Sequence, residues 1–158
     1  MKARLALMAF LVVISETGCN PMTTRPGFRP FALAAVDTSN SEPSITLTAI
    51  ESQINERGLP IRRSNARDGY LETRRFDLET ETVDGAAIHD SQRAIVMRFW
   101  VNPVPGKRSQ IISEVVYRRT ADPSVSNRAA EALVPPDHPA RELLAEVLAA
   151  VKADGRAE

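Results

Sequence analysis

Residues 93–120 constrain the chain most: two apolar runs are joined by a loop containing Pro103, Pro105 and Gly106. In the first run Ile95, Met97, Phe99 and Val101 alternate with Val96, Arg98 and Trp100. β-Branched and aromatic residues in a period of two favour a pleated, half-buried surface, so the two runs predict a β-hairpin. With Asn102 opposite Gln110, Val101 faces Ile111, Phe99 faces Ser113, Met97 faces Val115 and Ile95 faces Tyr117, all on the predicted core side. The same register sets Arg98 against Glu114 on the other side, and a one-residue slip would lose that match by turning every side chain of one strand over. It also gathers Val96, Trp100, Ile112 and Val116 on the outer face beside Arg98 and Glu114. Contiguous apolar surface with an aromatic and an arginine marks an interface, so Val96, Arg98, Trp100, Ile112 and Val116 are the candidate interface residues, with Trp100 as the anchor. The competing reading is that residues 122–138, or the first strand, fold back and cover them.

The flanking sequence supplies the partners of this hairpin. Residues 31–36 read as a short strand and 37–44 as a polar break in which Pro43 fits the first turn of a helix. The inward face of that helix is Leu47, Ile50 and Ile54, and Gly58 followed by Pro60 stops it. Residues 61–65 and 70–78 read as strands turned about Asn65, Asp68 and Gly69. Periodicity is then lost, and Glu79, Glu81, Asp84 and Asp90 predict an exposed acidic loop. Beyond Thr120 a polar connection holds Pro135 and Pro136 and one helical turn near 127–133. Pro139 opens a final helix with Leu143, Leu144, Val147, Leu148 and Val151 on one stripe and Gly155 at its end. This order predicts an α+β domain: a single antiparallel sheet of four to five strands with two helices packed on one face.

The chain begins differently. Lys2 and Arg4 precede an apolar run over 5–14, too short to span a bilayer but the right length for the hydrophobic region of an export signal. Thr17 and Gly18 lead into Cys19, the single cysteine. This arrangement resembles the bacterial lipoprotein signal, in which the cysteine is lipidated and becomes the mature N-terminus. It departs from that pattern at Glu16, where the family has Leu or another apolar residue. An ordinary secretory signal with an incidental cysteine would predict export equally. The resemblance implies a signal peptide over 1–18 and a membrane anchor at Cys19, and Asn20 is compatible with outer-membrane sorting. Pro21, Pro26 and Gly27 among Thr and Arg predict a flexible tether over 19–29, followed by a single domain over 30–155. With one cysteine no disulfide can form within the chain, so the core must hold the fold. Removing 1–18 changes 20 basic and 20 acidic residues to 18 and 19, a balance that gives no support to nucleic-acid binding.

The succession of Leu47, Gly58, Leu59, Ile61, Gly69 and Tyr70 is similar to the helix-grip modules of BamC-type envelope lipoproteins. That resemblance implies a fold and transfers no functional residue. The only histidines, His89 and His138, each adjoin an aspartate, but they stand in loops about fifty residues apart with no third ligand at useful spacing. No nucleophile elbow, Ser-x-x-Lys pair or glycine-rich phosphate loop is present, and Asp77, Glu79, Glu81 and Asp84 lack a calcium-loop spacing. The sequence thus predicts no catalytic residue, no metal and no cofactor. Arg62, Arg63, Arg74, Arg75, Arg98, Arg118 and Arg119 fall on predicted strands or their ends. Each adjacent pair must send one member away from the core, which makes a basic outer face or a set of ion pairs with Glu72, Asp77 and Glu114. The functional expectation is a non-enzymatic, lipid-anchored cell-envelope protein facing the periplasm or exterior, with a structural or binding role. Its partner would be the membrane through the anchor, together with an envelope protein or anionic lipid. The alternative is a carrier that encloses a small apolar or anionic ligand between helix and sheet.

Overall fold

The computed structural model describes residues 23–83, 93–120 and 122–154. In chain order the elements are β1 (Ala35–Ser39), α1 (Pro43–Glu56), β2 (Ile61–Asn65), β3 (Tyr70–Thr73), β4 (Phe76–Asp77), β5 (Thr82–Val83), β6 (Ala94–Val104), β7 (Arg108–Arg118), α2 (Asn127–Ala130), β8 (Glu131–Leu133) and α3 (Pro139–Asp154). The hairpin has the register that its residue pattern predicts: Ile95 lies opposite Tyr117, Arg98 opposite Glu114 and Asn102 opposite Gln110. Its strands are the centre of an antiparallel sheet of order β1-β7-β6-β3-β2. β8 extends the β1 side of β7, while β4 pairs with β6 beyond β3 and carries β5.

The sheet therefore has eight strands, more than the four to five expected, and there are three helices among the described residues. The difference is made of short pieces without a readable period. The run over 70–78 breaks at Arg74 and Arg75 into β3 and β4, and the acidic stretch turns back at Glu81, whose φ is +52°, to form β5. Residues 84–92, with the remainder of the predicted acidic loop, lie outside the described residues. The first strand starts at Ala35 rather than Phe31, because 31–34 form a turn closed by the Ala34 amide on the Phe31 carbonyl at 2.9 Å. A helical turn near 127 is present as α2, capped by the Ser126 hydroxyl, and β8 follows it directly.

Both long helices lie on one face. Pro43 takes the first turn of α1, and Leu47, Ile50 and Ile54 are fully buried, as the three-and-four spacing requires. Gly58, at φ +69°, lets the chain leave the helix while its amide and that of Leu59 close on the Asn55 and Ile54 carbonyls. Gly69 has a stricter reason to be glycine: a β-carbon there would stand 2.2 Å from the Val101 carbonyl oxygen. The β2–β3 turn can thus lie directly on β6, with the Val101 amide on the Gly69 carbonyl at 2.8 Å. α3 begins where His138 Nδ1 accepts the Ala140 amide at 3.1 Å, which gives that histidine a capping role; Gly155, its predicted end, lies outside the described residues. Leu144, Val147, Leu148 and Val151 then join the α1 residues over Ile95, Met97, Phe99, Val101, Ile111 and Val115. These side chains occupy the space between helices and sheet. Leu144→Ala should destabilise the domain by about 2–5 kcal/mol, read as a lowered urea midpoint with an unchanged slope.

Candidate functional site

The outer face of the sheet is built from charge. Register sets Arg63 beside Glu72, Glu72 beside Arg98 and Arg98 beside Glu114, a row of alternating sign across four strands. Arg98 is only 5% exposed and Glu114 fully buried. Arg98 forks onto Glu131, with Nη1 donating to Oε2 at 2.8 Å and Nη2 to Oε1 at 2.7 Å, and Nη1 also reaches Glu114 Oε1 at 3.1 Å. Arg128 from α2 donates to both oxygens of Glu114, at 2.7 and 3.2 Å. The irregularity between Ile61 and Arg63 brings Arg62 rather than Arg63 onto Glu72, at 3.0 Å, and the Tyr70 hydroxyl donates to the other Glu72 oxygen at 2.6 Å. Arg62, Arg98 and Arg128 thus balance Glu72, Glu114 and Glu131.

Such a network fixes ionisation states. Burial disfavours the Arg98 charge, but the surrounding carboxylates, Glu131 first, outweigh it and push its pKa up. Burial would raise Glu131 too, yet the hydrogen bonds and charge of Arg98 hold its carboxyl below its ordinary value. The Tyr70 hydroxyl is pushed up by burial and by its bond to Glu72.

A segment the sequence reading assigned to a flexible tether lies on this network. Cys19 and residues 20–22 are outside the described residues, but the Thr24 amide and hydroxyl both donate to Asp68 Oδ2, and Arg25 Nε donates to the Asp68 carbonyl. The Arg25 guanidinium also donates to Asn102 Oδ1 and the Val101 carbonyl, each at 2.9 Å. Asp68 is held below the usual carboxylate range by these Thr24 bonds, the amide first. Further on, the Phe28 ring lies 5.0 Å from the Arg98 guanidinium carbon and 4.5 Å from that of Arg128, which stacks on Phe31 at 3.7 Å. The Phe31 amide donates to Glu114 at 3.0 Å, and Arg128 donates to the Arg29 carbonyl at 2.8 Å. Proline and glycine here exclude helix and do not prevent docking: the side chains between them find carbonyls, carboxylates and guanidinium faces.

The candidate interface is corrected accordingly. Val96, Arg98, Trp100 and Val116 are buried within their own chain and Ile112 is half-buried; Trp100 keeps 4% of its surface and tilts against Tyr70 at 5.4 Å between centroids. An anchor for a partner needs free surface, which Trp100 lacks. Two segments supply the cover: residues 127–133, one of the stretches the sequence suggested, bring Arg128 and Glu131 onto Glu114 and Arg98 and pair with Val116, and the 24–31 segment, which the sequence did not suggest as a whole, lies beside them.

Beside that cover the outer face opens into a groove of about 580 Å³. Arg62 and Arg63 of β2, Arg74 and Arg75 of the β3–β4 link, and Arg98, Arg118 and Arg128 line it, against only two carboxylates, Glu72 and Glu131; Pro26 and Phe28 form one wall. Arg63 donates to the Thr24 carbonyl at 3.3 Å. The buried Nε atoms of Arg98 and Arg118 have no hydrogen-bond partner among the described residues, the nearest Glu72 oxygen standing 3.6 Å from Arg98 Nε. A second concavity of about 480 Å³ lies at the end of α1 among Leu59, Phe76, Leu78, Val83 and Leu143. The acidic run is not a cluster either: Asp77 pairs with Arg93 and accepts the Glu79 and Thr80 amides, and Asp84 lies outside the described residues with His89. Among the described residues no three carboxylate, histidine or cysteine side chains converge as metal ligands, and no helix is long and apolar enough to cross a membrane.

No family model matches the chain, and no curated protein does. Among solved structures, a TBP-like protein from Parabacteroides distasonis is similar at 15% identity, over 75% of this chain and 91% of that one, with a TM-score of 0.37.

Arg98→Met should cost about 3–5 kcal/mol in chemical denaturation, because it leaves the facing carboxylates buried without their cation. The depressed Glu131 also makes stability pH-dependent. Its contribution is complete above the ordinary value of 4.5 and is lost as pH falls through the lower folded value. Urea midpoints should therefore drop between neutral pH and about pH 3, and Glu131→Gln should flatten that drop.

Proposed function

We propose that this protein is a non-enzymatic binding module of the cell envelope, tethered to a membrane through a lipidated Cys19. The observation that carries the reading is the docking of residues 24–31 on the outer sheet face, next to the groove lined by arginines. Four residues separate Cys19 from Thr24, so even fully extended the five Cα-to-Cα steps span no more than about 18 Å. An anchor at that cysteine would hold the Thr24–Asp68 corner of the domain near the headgroups. A domain on so short a leash does not sample the compartment freely; it works at the membrane surface, where the groove would meet whatever the surface presents. A binding role rather than catalysis suits a face in which the Glu72 and Glu131 carboxylates are occupied by guanidinium groups and the Thr73 hydroxyl by the Met97 amide.

The test is fractionation. Wild-type protein should sediment with membranes and carry an acylated N-terminal cysteine by mass spectrometry, whereas Cys19→Ser should move to the soluble fraction with its domain folded. Soluble wild-type protein with a free thiol would end the proposal.

A further inference from the structure

We infer that the arginine groove is a binding site for a phosphate-bearing anion. Three observations converge on this. Arginine supplies all of the basic side chains lining the groove. Its planar fork grips phosphate oxygens through paired N–H donors, whereas lysine offers only a point charge. Next, the internal network uses up the negative charge within reach: Glu72, Glu114 and Glu131 are matched by Arg62, Arg98 and Arg128. Arg74 and Arg118 have no carboxylate partner among the described residues, and Arg63 donates only to a neutral carbonyl. Finally, donors are left over where they are costly. Arg98, nine-tenths buried, lines the groove with its Nε making no hydrogen bond, the Glu72 oxygen standing 3.6 Å away, and Arg118 Nε is likewise buried without a hydrogen-bond acceptor. A buried donor with no partner costs about as much as a lost hydrogen bond, and a bound oxyanion would relieve it.

The shape of the anion follows from the donors. A planar carboxylate is satisfied by one or two guanidinium forks, which the glutamates of the network already are. The tetrahedral oxygens of a phosphate accept from several directions at once, which suits arginines placed on β2, on the β3–β4 link and on β7 around one concavity. A volume of about 580 Å³ holds more than one phosphate, enough for a headgroup or a diphosphate. Phe28 and Val96 add apolar wall beside the charge, the composition a phosphate ester meets better than a bare ion. The site belongs to the folded domain and does not depend on how Cys19 is modified.

The experiment uses the unacylated Cys19→Ser full-length protein. Inorganic pyrophosphate is titrated by calorimetry, and binding to vesicles of phosphatidylcholine with or without phosphatidylglycerol is followed by flotation. Saturable pyrophosphate binding, weakened at least about tenfold in the folded variants Arg74→Gln and Arg118→Gln, is the expected result. Arg108→Gln, at the start of β7 and outside the groove, should bind as the parent does. Flotation only with phosphatidylglycerol, lost in the same two variants, would identify a lipid headgroup as the source, and pyrophosphate binding without flotation would identify a soluble phosphate ester. The inference is overturned if neither probe binds, or if Arg108→Gln weakens binding as much as the groove variants do.

Discussion

Everything on the outer side of this sheet depends on one guanidinium that cannot be left alone. Arg98 sits mid-strand in the most buried stretch of the chain, and an unpaired buried cation there would cost several kcal/mol. Its partners come from distant parts of the sequence: Glu72 from β3, Glu114 from β7, Glu131 from β8 and the Phe28 ring from the N-terminal segment. A buried ion network contributes little net stability against an apolar core of the same size. What it supplies is selectivity, because only one register of β6 with both neighbours, and only one seat for β8, sets Glu72, Glu114 and Glu131 against the guanidinium groups that balance them. The apolar face packs by volume and tolerates variation; the charged face is either assembled or broken.

The hairpin was legible because two independent patterns agreed on it. Alternation on the inner face and the match of Arg98 with Glu114 on the outer face select the same register. The stripes of α1 and α3 were legible for the related reason that a period near 3.6 over three or more turns is hard to produce otherwise. What sequence pattern could not show is everything decided by contact at long range. β4 and β5 are two residues each and β8 is three, too short to express alternation; β4 and β8 form on the edges that β6 and β7 offer, and β5 forms on β4.

The candidate site was half legible. The arginines at strand ends were visible, and so was the need for one of each adjacent pair to point outward; that Arg62 takes Glu72 while Arg63 turns to Thr24 depends on a register irregularity with no sequence mark. The patch around Trp100 looked exposed because its cover comes from separate parts of the chain, Tyr70 on β3, residues 127–133, and a stretch rich in proline and threonine more than sixty residues earlier. A signal was present in retrospect: Arg25, Phe28 and Phe31 are large side chains in a segment that, as a simple spacer, would need none.

The order in which residues 24–31 touch the sheet has a mechanical consequence. A force applied from the N-terminal side reaches the Thr24–Asp68 bonds first, then the Arg25 contacts, then Phe28 and last the Phe31–Glu114 bond. The contacts are loaded in series, as in opening a zip, and not in parallel as in shearing two strands. Release of Thr24 frees the Arg63 donor, and release of Phe28 and Phe31 uncovers Arg98 and Arg128, while the contacts of the apolar core lie on the other face of the sheet. The outer face is in this sense a surface whose accessibility can be graded by tension on the chain that leads to it.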